Sequence, residues 1–480
     1  MKGRLATITG AIALLAGCAV GPNYHRPEVS QPIPESYATS APTNEWKAAT
    51  PSSEAPKGEW WRIFGDAELN QLEADASAAN QELKGAVARF TQAREFANIA
   101  RSGLFPHLDA SPSYSRSRSS QNSLKGVGGP GATINDFSIP FDLSYEIDLW
   151  GRVRRDIEAG RADQQASLAD LENIRLSIQA EVAANYFTAR ALDSEISLLR
   201  TNIEVFRKSL ELTKNRYAGG IATDLDVAQA ETILKNTEAE LPRATLDRVK
   251  VQHALAVLTG KIASSFVLSE RNSTLDAPQV PAGVPSELLE RRPDIAASER
   301  RMAAANARIG VAKAAFFPTV RVNGLAGLES ISAGSLFNAS SRVWAVGPSI
   351  HVPIFEGGRL RADLRRTQAA YEETVANYRQ DVLGAFQQVE DNLSAQELLK
   401  QEFTAKQEAL NASRRTLRIA ENRYKAGLVT YLEVATAQND ELGREREVAR
   451  IHGERLVTAV ALIKSLGGAW RSSDDLASAH

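Results

Sequence analysis

Cysteine is all but absent: Cys18 stands alone in 480 residues, which excludes an intrachain disulfide and any cysteine-rich metal site. An excess of charge of one sign is missing too. The 56 basic and 58 acidic residues leave a formal charge of -2, without the basic footprint of a nucleic-acid binder. The six histidines, His25, His107, His253, His351, His452 and His480, are far apart, with no His-x-x-x-His pair or other metal spacing. No catalytic constellation emerges. The abundant carboxylates fall on helices, where charged faces are ordinarily solvated. The sequence therefore implies no enzymatic step, no metal, no cofactor and no nucleic-acid partner.

A long apolar run at the start is likewise missing. Lys2 and Arg4 precede an apolar stretch from Leu5 to Leu15, too short to span a bilayer as a helix. It ends in Leu15-Ala16-Gly17-Cys18, the pattern of a secretory signal. Leu-Ala-Gly-Cys resembles the bacterial lipobox, in which the cysteine is acylated and becomes the new N-terminus. By that resemblance, Ala19 after it favours the outer membrane.

Proline is concentrated rather than scarce. Pro22, Pro27, Pro32, Pro34, Pro42, Pro51 and Pro56 are 7 of the chain's 19, so this stretch reads as an extended tether. Beyond it, helix formers dominate residues 66–103, read as one helix that Phe105-Pro106 stops.

The largest feature is a duplication. Asn215-Arg216-Tyr217-Ala218-Gly219-Gly220 returns 207 positions later as Asn422-Arg423-Tyr424-Lys425-Ala426-Gly427, and Gly151-Arg152 likewise as Gly358-Arg359. Residues 152–216 contain no proline and would form a helix extending roughly 98 Å at about 1.5 Å per residue. Residues 359–423 repeat it. Ala189, Leu192, Ile196, Leu199, Ile203, Phe206 and Leu210 alternate spacings of three and four, a coiled-coil seam. Gly220 and Gly427 sit where a left-handed residue ends each helix, and Thr223 and Thr430 open returning helices over 223–259 and 430–466. A shorter helix over 291–316 would stack on the first return helix, after a proline-bearing loop at 261–290.

Before the first long helix, Phe137, Ile139, Phe141, Leu143, Tyr145 and Ile147 alternate with polar residues, predicting a strand with one apolar and one wet face. Residues 344–354 repeat this, interrupted at Pro348, and weaker strands are expected over 108–118 and 320–328. Four strands cannot close a membrane barrel alone, since the smallest single-chain barrels have about eight. An open sheet in lipid would leave unpaired edges. Other chains must close it; the competing reading is a soluble sandwich capping a coiled coil.

The expected organisation is a signal peptide (1–17), a lipid-anchored tether (18–60), a first repeat (61–265) with β-hairpin 106–148 and helical hairpin 152–260, and a connector (266–290). A second repeat (291–470) follows, with β-hairpin 318–354 and helical hairpin 359–467, then a polar tail (471–480). The fold class is mainly α with a membrane β part.

The lipobox, Asp148-Leu149-Trp150-Gly151-Arg152, Glu290-Arg291-Arg292-Pro293-Asp294-Ile295, Phe316-Phe317-Pro318, Pro353-Ile354-Phe355-Glu356-Gly357-Gly358-Arg359 and the paired Asn-Arg-Tyr hairpins resemble the TolC-type outer-membrane efflux channels, in particular the NodT and OprM-like lipoprotein branch. The resemblance covers nearly the whole chain from Leu15. It implies a homotrimer with a shared twelve-stranded barrel and a helical periplasmic tunnel, docked on a periplasmic adaptor and an inner-membrane pump of the resistance-nodulation-division class. It further implies a gate at the hairpin ends, with Tyr424 in the place of the gate tyrosine, Asp226 in that of its partner and Glu433 in the acidic ring. Thr436 and Val429 depart from the acidic and basic residues of the family's prototype.

Each of these residues also has a plain structural reading. Thr223-x-x-Asp226 and Thr430-x-x-Glu433 are capping-box patterns, and acids such as Asp224 suit the first turn of a helix. Tyr217 and Tyr424 lie in the seam, where core packing suffices. Pro293 with Asp294 is an ordinary helix start. The function expected is a passive exit duct for small molecules such as drugs. A non-conducting coiled-coil lipoprotein and a cell-wall hydrolase are the weaker alternatives.

Overall fold

The helix formers after residue 66 do form helix, but as two pieces rather than the one expected: α1 (Ala67–Ala79) and α2 (Gln81–Ser102). Asn80 makes the break. Its backbone leaves the helical region (φ -59, ψ 127), its Oδ1 accepts the Leu83 amide at 3.0 Å and its Nδ2 donates to the Leu258 carbonyl at 2.9 Å. An asparagine that caps the next helix ends the previous one.

This computed structural model describes residues 19–27, 58–122, 131–272, 275–278, 280 and 291–468. Cys18 and the lipobox, most of the tether and the polar tail lie outside them. No helix among the described residues is long and apolar enough to cross a membrane. The remaining helices are α3 (Arg152–Ala218), α4 (Asp224–Leu258), α5 (Pro293–Ala314), α6 (Arg359–Lys425) and α7 (Tyr431–Ser465). The duplication is visible in their lengths: α3 and α6 each have 67 residues, and α4 and α7 each 35. α5 starts on Pro293 and is shorter than expected at both ends.

The described residues form two compact units, those within 1–28, 90–167 and 298–378 in the first and those within 29–89, 168–297 and 379–480 in the second. The first holds the sheet: β1 (His107–Ala110), β2 (Ser113–Arg118), β3 (Thr133–Ile147), β4 (Thr319–Ser330) and β5 (Arg342–His351). β1 and β2 are one strand interrupted. Both pair with β3 in the same register, Ala110 with Phe141 and Ser113 with Ser138, and the gap falls where Pro112 and Pro140 lack amide hydrogens. The sheet is thus a four-stranded antiparallel meander, β3 pairing with β4 and β4 with β5. β5 ends at His351 rather than at Ile354 as expected, since Pro353 cannot donate. Pro348 lies on β5, an edge strand within the chain. Gly327 opposes Pro140 so closely that a Cβ there would lie 2.4 Å from the Ile139 carbonyl oxygen.

Part of the expected tether is seated in this first unit. The Val20 amide donates to the Trp150 carbonyl at 2.9 Å, Gly21 packs on Gly310, and the Tyr24 hydroxyl donates to Glu299 at 2.6 Å.

In the second unit six of the seven seam residues, Ala189, Ile196, Leu199, Ile203, Phe206 and Leu210, are buried, and Leu192 is half-buried. From Ile196 onward they join Ala230, Ile233 and Leu234 of α4, Ala420 and Tyr424 of α6, and Tyr431 and Val434 of α7 in one cluster. Arg446 of α7 donates to Glu195 of α3 at 2.8 Å and to Glu240 of α4 at 2.7 Å, tying the two copies together. A buried network holds the start of the connector to α3. Asp193 receives Arg190 and Arg248, while Arg190 also reaches the Ser269 carbonyl at 2.7 Å.

Candidate functional site

The ends of the two helical hairpins bring most of the expected residues together. Ile221 donates its amide to the Arg216 carbonyl at 2.8 Å and Gly220 to that of Tyr217 at 2.9 Å. Leu428 to Arg423 and Gly427 to Tyr424 repeat this at 2.9 and 3.0 Å. This is a Schellman ending, and it requires a left-handed residue, which Gly220 (φ 73) and Gly427 (φ 74) supply.

The returning helices begin differently. Thr223 forms a complete capping box: its hydroxyl oxygen accepts the Asp226 amide at 3.3 Å, and Asp226 Oδ2 accepts the Thr223 amide at 2.8 Å. At Thr430 the corresponding box does not form, and the Thr430 side chain makes no capping bond. The Glu433 carboxylate reaches Arg423 instead, at 3.3 Å, with both side chains half exposed. Asp226 supplies what is missing, because its Oδ1 accepts the Tyr431 amide at 3.3 Å. One carboxylate therefore caps the starts of both α4 and α7. Burial raises the affinity of Asp226 for a proton, but the bonds from Thr223 and Tyr431 and the nearby Arg216 outweigh it and hold the carboxyl below its ordinary value.

Tyr424 and Tyr217 share a repeat position and no environment. Tyr424 is 7% exposed and Tyr217 49%, so seam packing within the chain fails for Tyr217. The Arg216 guanidinium lies 4.5 Å from the centre of the Tyr424 ring, and the Tyr431 ring meets it edge-on at 5.6 Å. The Tyr424 hydroxyl is buried without a hydrogen-bond partner among the described residues. Within the chain, Asp226 meets the Tyr431 backbone amide and not the Tyr424 hydroxyl. Tyr431 is buried, its hydroxyl 3.0 Å from Ser209 Oγ and donating to Gln438 at 3.1 Å. Sequence reasoning passed over Tyr431; the signal was an aromatic residue where the other copy carries Asp224, at a first helical position that favours acids. Asp224 itself is exposed in the first turn of α4.

The sheet is the second feature with functional consequences. Registry places Leu108 beside Leu143, Phe141 beside Ala326 and Trp344, Tyr145 beside Val322, and Val320 beside Ile350. One face is therefore apolar over the half of the sheet nearer the helix starts, up to Tyr114 and Phe137, and beyond them it carries Arg116, Arg118 and Arg342. The other carries Asp109, Asp142, Ser144, Glu146, Arg321, Asn323 and Ser349. Leu108, Phe141, Trp344, Val346 and Ile350 are exposed, and no strand among the described residues pairs with the outer side of β1, β2 or β5.

Comparison with known proteins places these features in context. A family model described as outer membrane efflux protein matches residues 72–261 and 284–468, one stretch for each copy of the duplication. The Pseudomonas aeruginosa pyoverdine export outer membrane protein OpmQ is 33% identical over 92% of this chain and 94% of its own length. The Escherichia coli cation efflux system protein CusC is 28% identical over 95% and 97%. The crystal structure of the Campylobacter jejuni CmeC outer membrane channel superposes with a TM-score of 0.86 at 27% identity, covering 96% of this chain and 97% of that one.

Proposed function

The chain belongs to the outer membrane efflux protein family, whose members are outer-membrane channels of tripartite efflux pumps, and on that premise we propose how this chain forms its duct. Three copies join their four-stranded sheets into one twelve-stranded barrel in the outer membrane, and their long helices continue it as a coiled-coil tunnel in the periplasm. The duct passively conducts small molecules such as drugs, received from an inner-membrane transporter of the resistance-nodulation-division class through a periplasmic adaptor. Acylated Cys18 anchors each copy in the outer membrane. The duct opens when the hairpin ends around Asp226, Tyr424 and Glu433 move apart.

The observation that carries this reading is the two-faced sheet with free edges. In water its exposed apolar face would cost free energy in proportion to its area. In lipid that face is favourable, but unpaired edge amides and carbonyls are not tolerated in hydrocarbon. Closure by further copies satisfies both demands and turns the polar face toward a lumen. Relatives named for cargoes as different as pyoverdine and cations fit a duct whose selection lies with its pump. The test is native mass spectrometry of the detergent-extracted protein together with planar-bilayer conductance. Trimers with discrete conductance steps are expected; a monomer that never conducts overturns the shared barrel.

A further inference from the structure

The free edges of the sheet differ, and each ends in exposed apolar residues. Leu104 and Phe105 lead into β1, and β5 leads out into Ile354 and Phe355, which are 94% and 89% exposed. Both pairs belong to the unit that holds the sheet. Along the meander β1 and β2 run away from the helix starts, β3 returns, β4 runs away and β5 returns. An even number of strands lets the β1 edge of one copy meet the β5 edge of the next in the same antiparallel sense. The start of β1 then lies beside the end of β5.

Registry sharpens this placement. The row through His107 passes Ser144, Asn323 and Gly347, and β5 continues beyond Gly347 to His351. The lower rim thus descends across the sheet, as it must where strands are tilted. One further step of the same descent carries His107 of the next copy just past His351, and Phe105 alongside Phe355.

The apolar surface continues below the sheet. Phe96 and Ile99, one turn apart on α2, are 67% and 64% exposed. Their helix also carries Arg94, Glu95 and Asn98 in exposed hydrogen bonds, a surface that suits protein and water rather than lipid. We infer that Phe105 packs on the partner subunit's Phe355, at the centre of a head-to-tail seam. The seam runs from the paired strand edges through Leu104 and the partner subunit's Ile354 onto the Phe96–Ile99 face. A heterologous contact of this kind closes into a ring when the rotation permits.

This inference rests on the shared-barrel reading but fails separately from it. The double variant Phe105→Cys with Phe355→Cys, oxidised in outer-membrane preparations, should give a ladder of linked dimers and trimers in denaturing electrophoresis. Each single variant should remain monomeric, because a heterologous seam does not bring like residues together. The pair Leu104→Cys with Ile354→Cys reads the same seam if the aromatic pair impairs assembly. Trimers by native mass with no linkage in either pair would overturn the seam and leave these residues to lipid. Linkage in a single variant would overturn the head-to-tail arrangement. A monomeric native mass would remove the barrel reading beneath it.

Discussion

The carboxylate of Asp226 accepts the backbone amide of Tyr431 at 3.3 Å, so that the capping residue of one helical hairpin also caps the other. The two copies of the duplication therefore meet at their ends through one side chain, with Thr223 on its other oxygen.

Asp226→Ala removes three hydrogen bonds and a helix cap, and should lower stability by about 1 to 2 kcal/mol. The acid limb of the stability profile should change with it. Folding holds this carboxyl below its ordinary 3.8, so its contribution is complete above that value and lost as pH falls through the lower folded one. Thermal unfolding between pH 3 and 7 should show a steeper acid decline in the unaltered protein than in the variant.

Tyr424→Phe should leave stability unchanged or slightly raised. Its hydroxyl is buried without a partner among the described residues, and removing such a group relieves desolvation. Tyr431→Phe loses bonds to Ser209 and Gln438 and should cost about 1 kcal/mol. Melting curves of the two variants, measured side by side, check the order. A larger loss for Tyr424→Phe would assign its hydroxyl a partner in the neighbouring copy.

Glu433→Gln should separate electrostatics from stability. The Arg423–Glu433 pair is half exposed on both sides, and such pairs contribute about 0 to 1 kcal/mol. The melting temperature should barely move. If three Glu433 carboxylates ring the axis, cation selectivity in single-channel recordings falls; unchanged selectivity would leave Glu433 no part in the constriction.

Glu73 predicts the opposite pH response to Asp226. It is fully buried on α1, with neither carboxyl oxygen partnered among the described residues, and burial raises it from 4.5 to about 9. The folded state therefore binds the proton more tightly, and stability falls as pH rises through that interval. Glu73→Gln should flatten the profile and gain most near pH 8 to 9, by thermal unfolding at pH 5, 7 and 9. A profile parallel to the unaltered protein would show that Glu73 does not titrate in this range.

Periodicity and duplication alone determined most of the architecture. The long helices, their glycine-ended turns and the amphipathic strands all follow from local rules of spacing and backbone geometry. Those rules act on neighbouring residues, so each copy of the repeat could be read by itself. Only the tertiary structure decided what happens where the copies differ. Asn80 splits the first helix because its amide reaches Leu258, far along the chain. Tyr217 and Tyr424 occupy equal repeat positions but unequal surroundings, and the second capping box gives way to Asp226 of the other hairpin. Side chains that serve two segments distant in sequence leave no periodic trace, because packing between elements is not a property of either element alone.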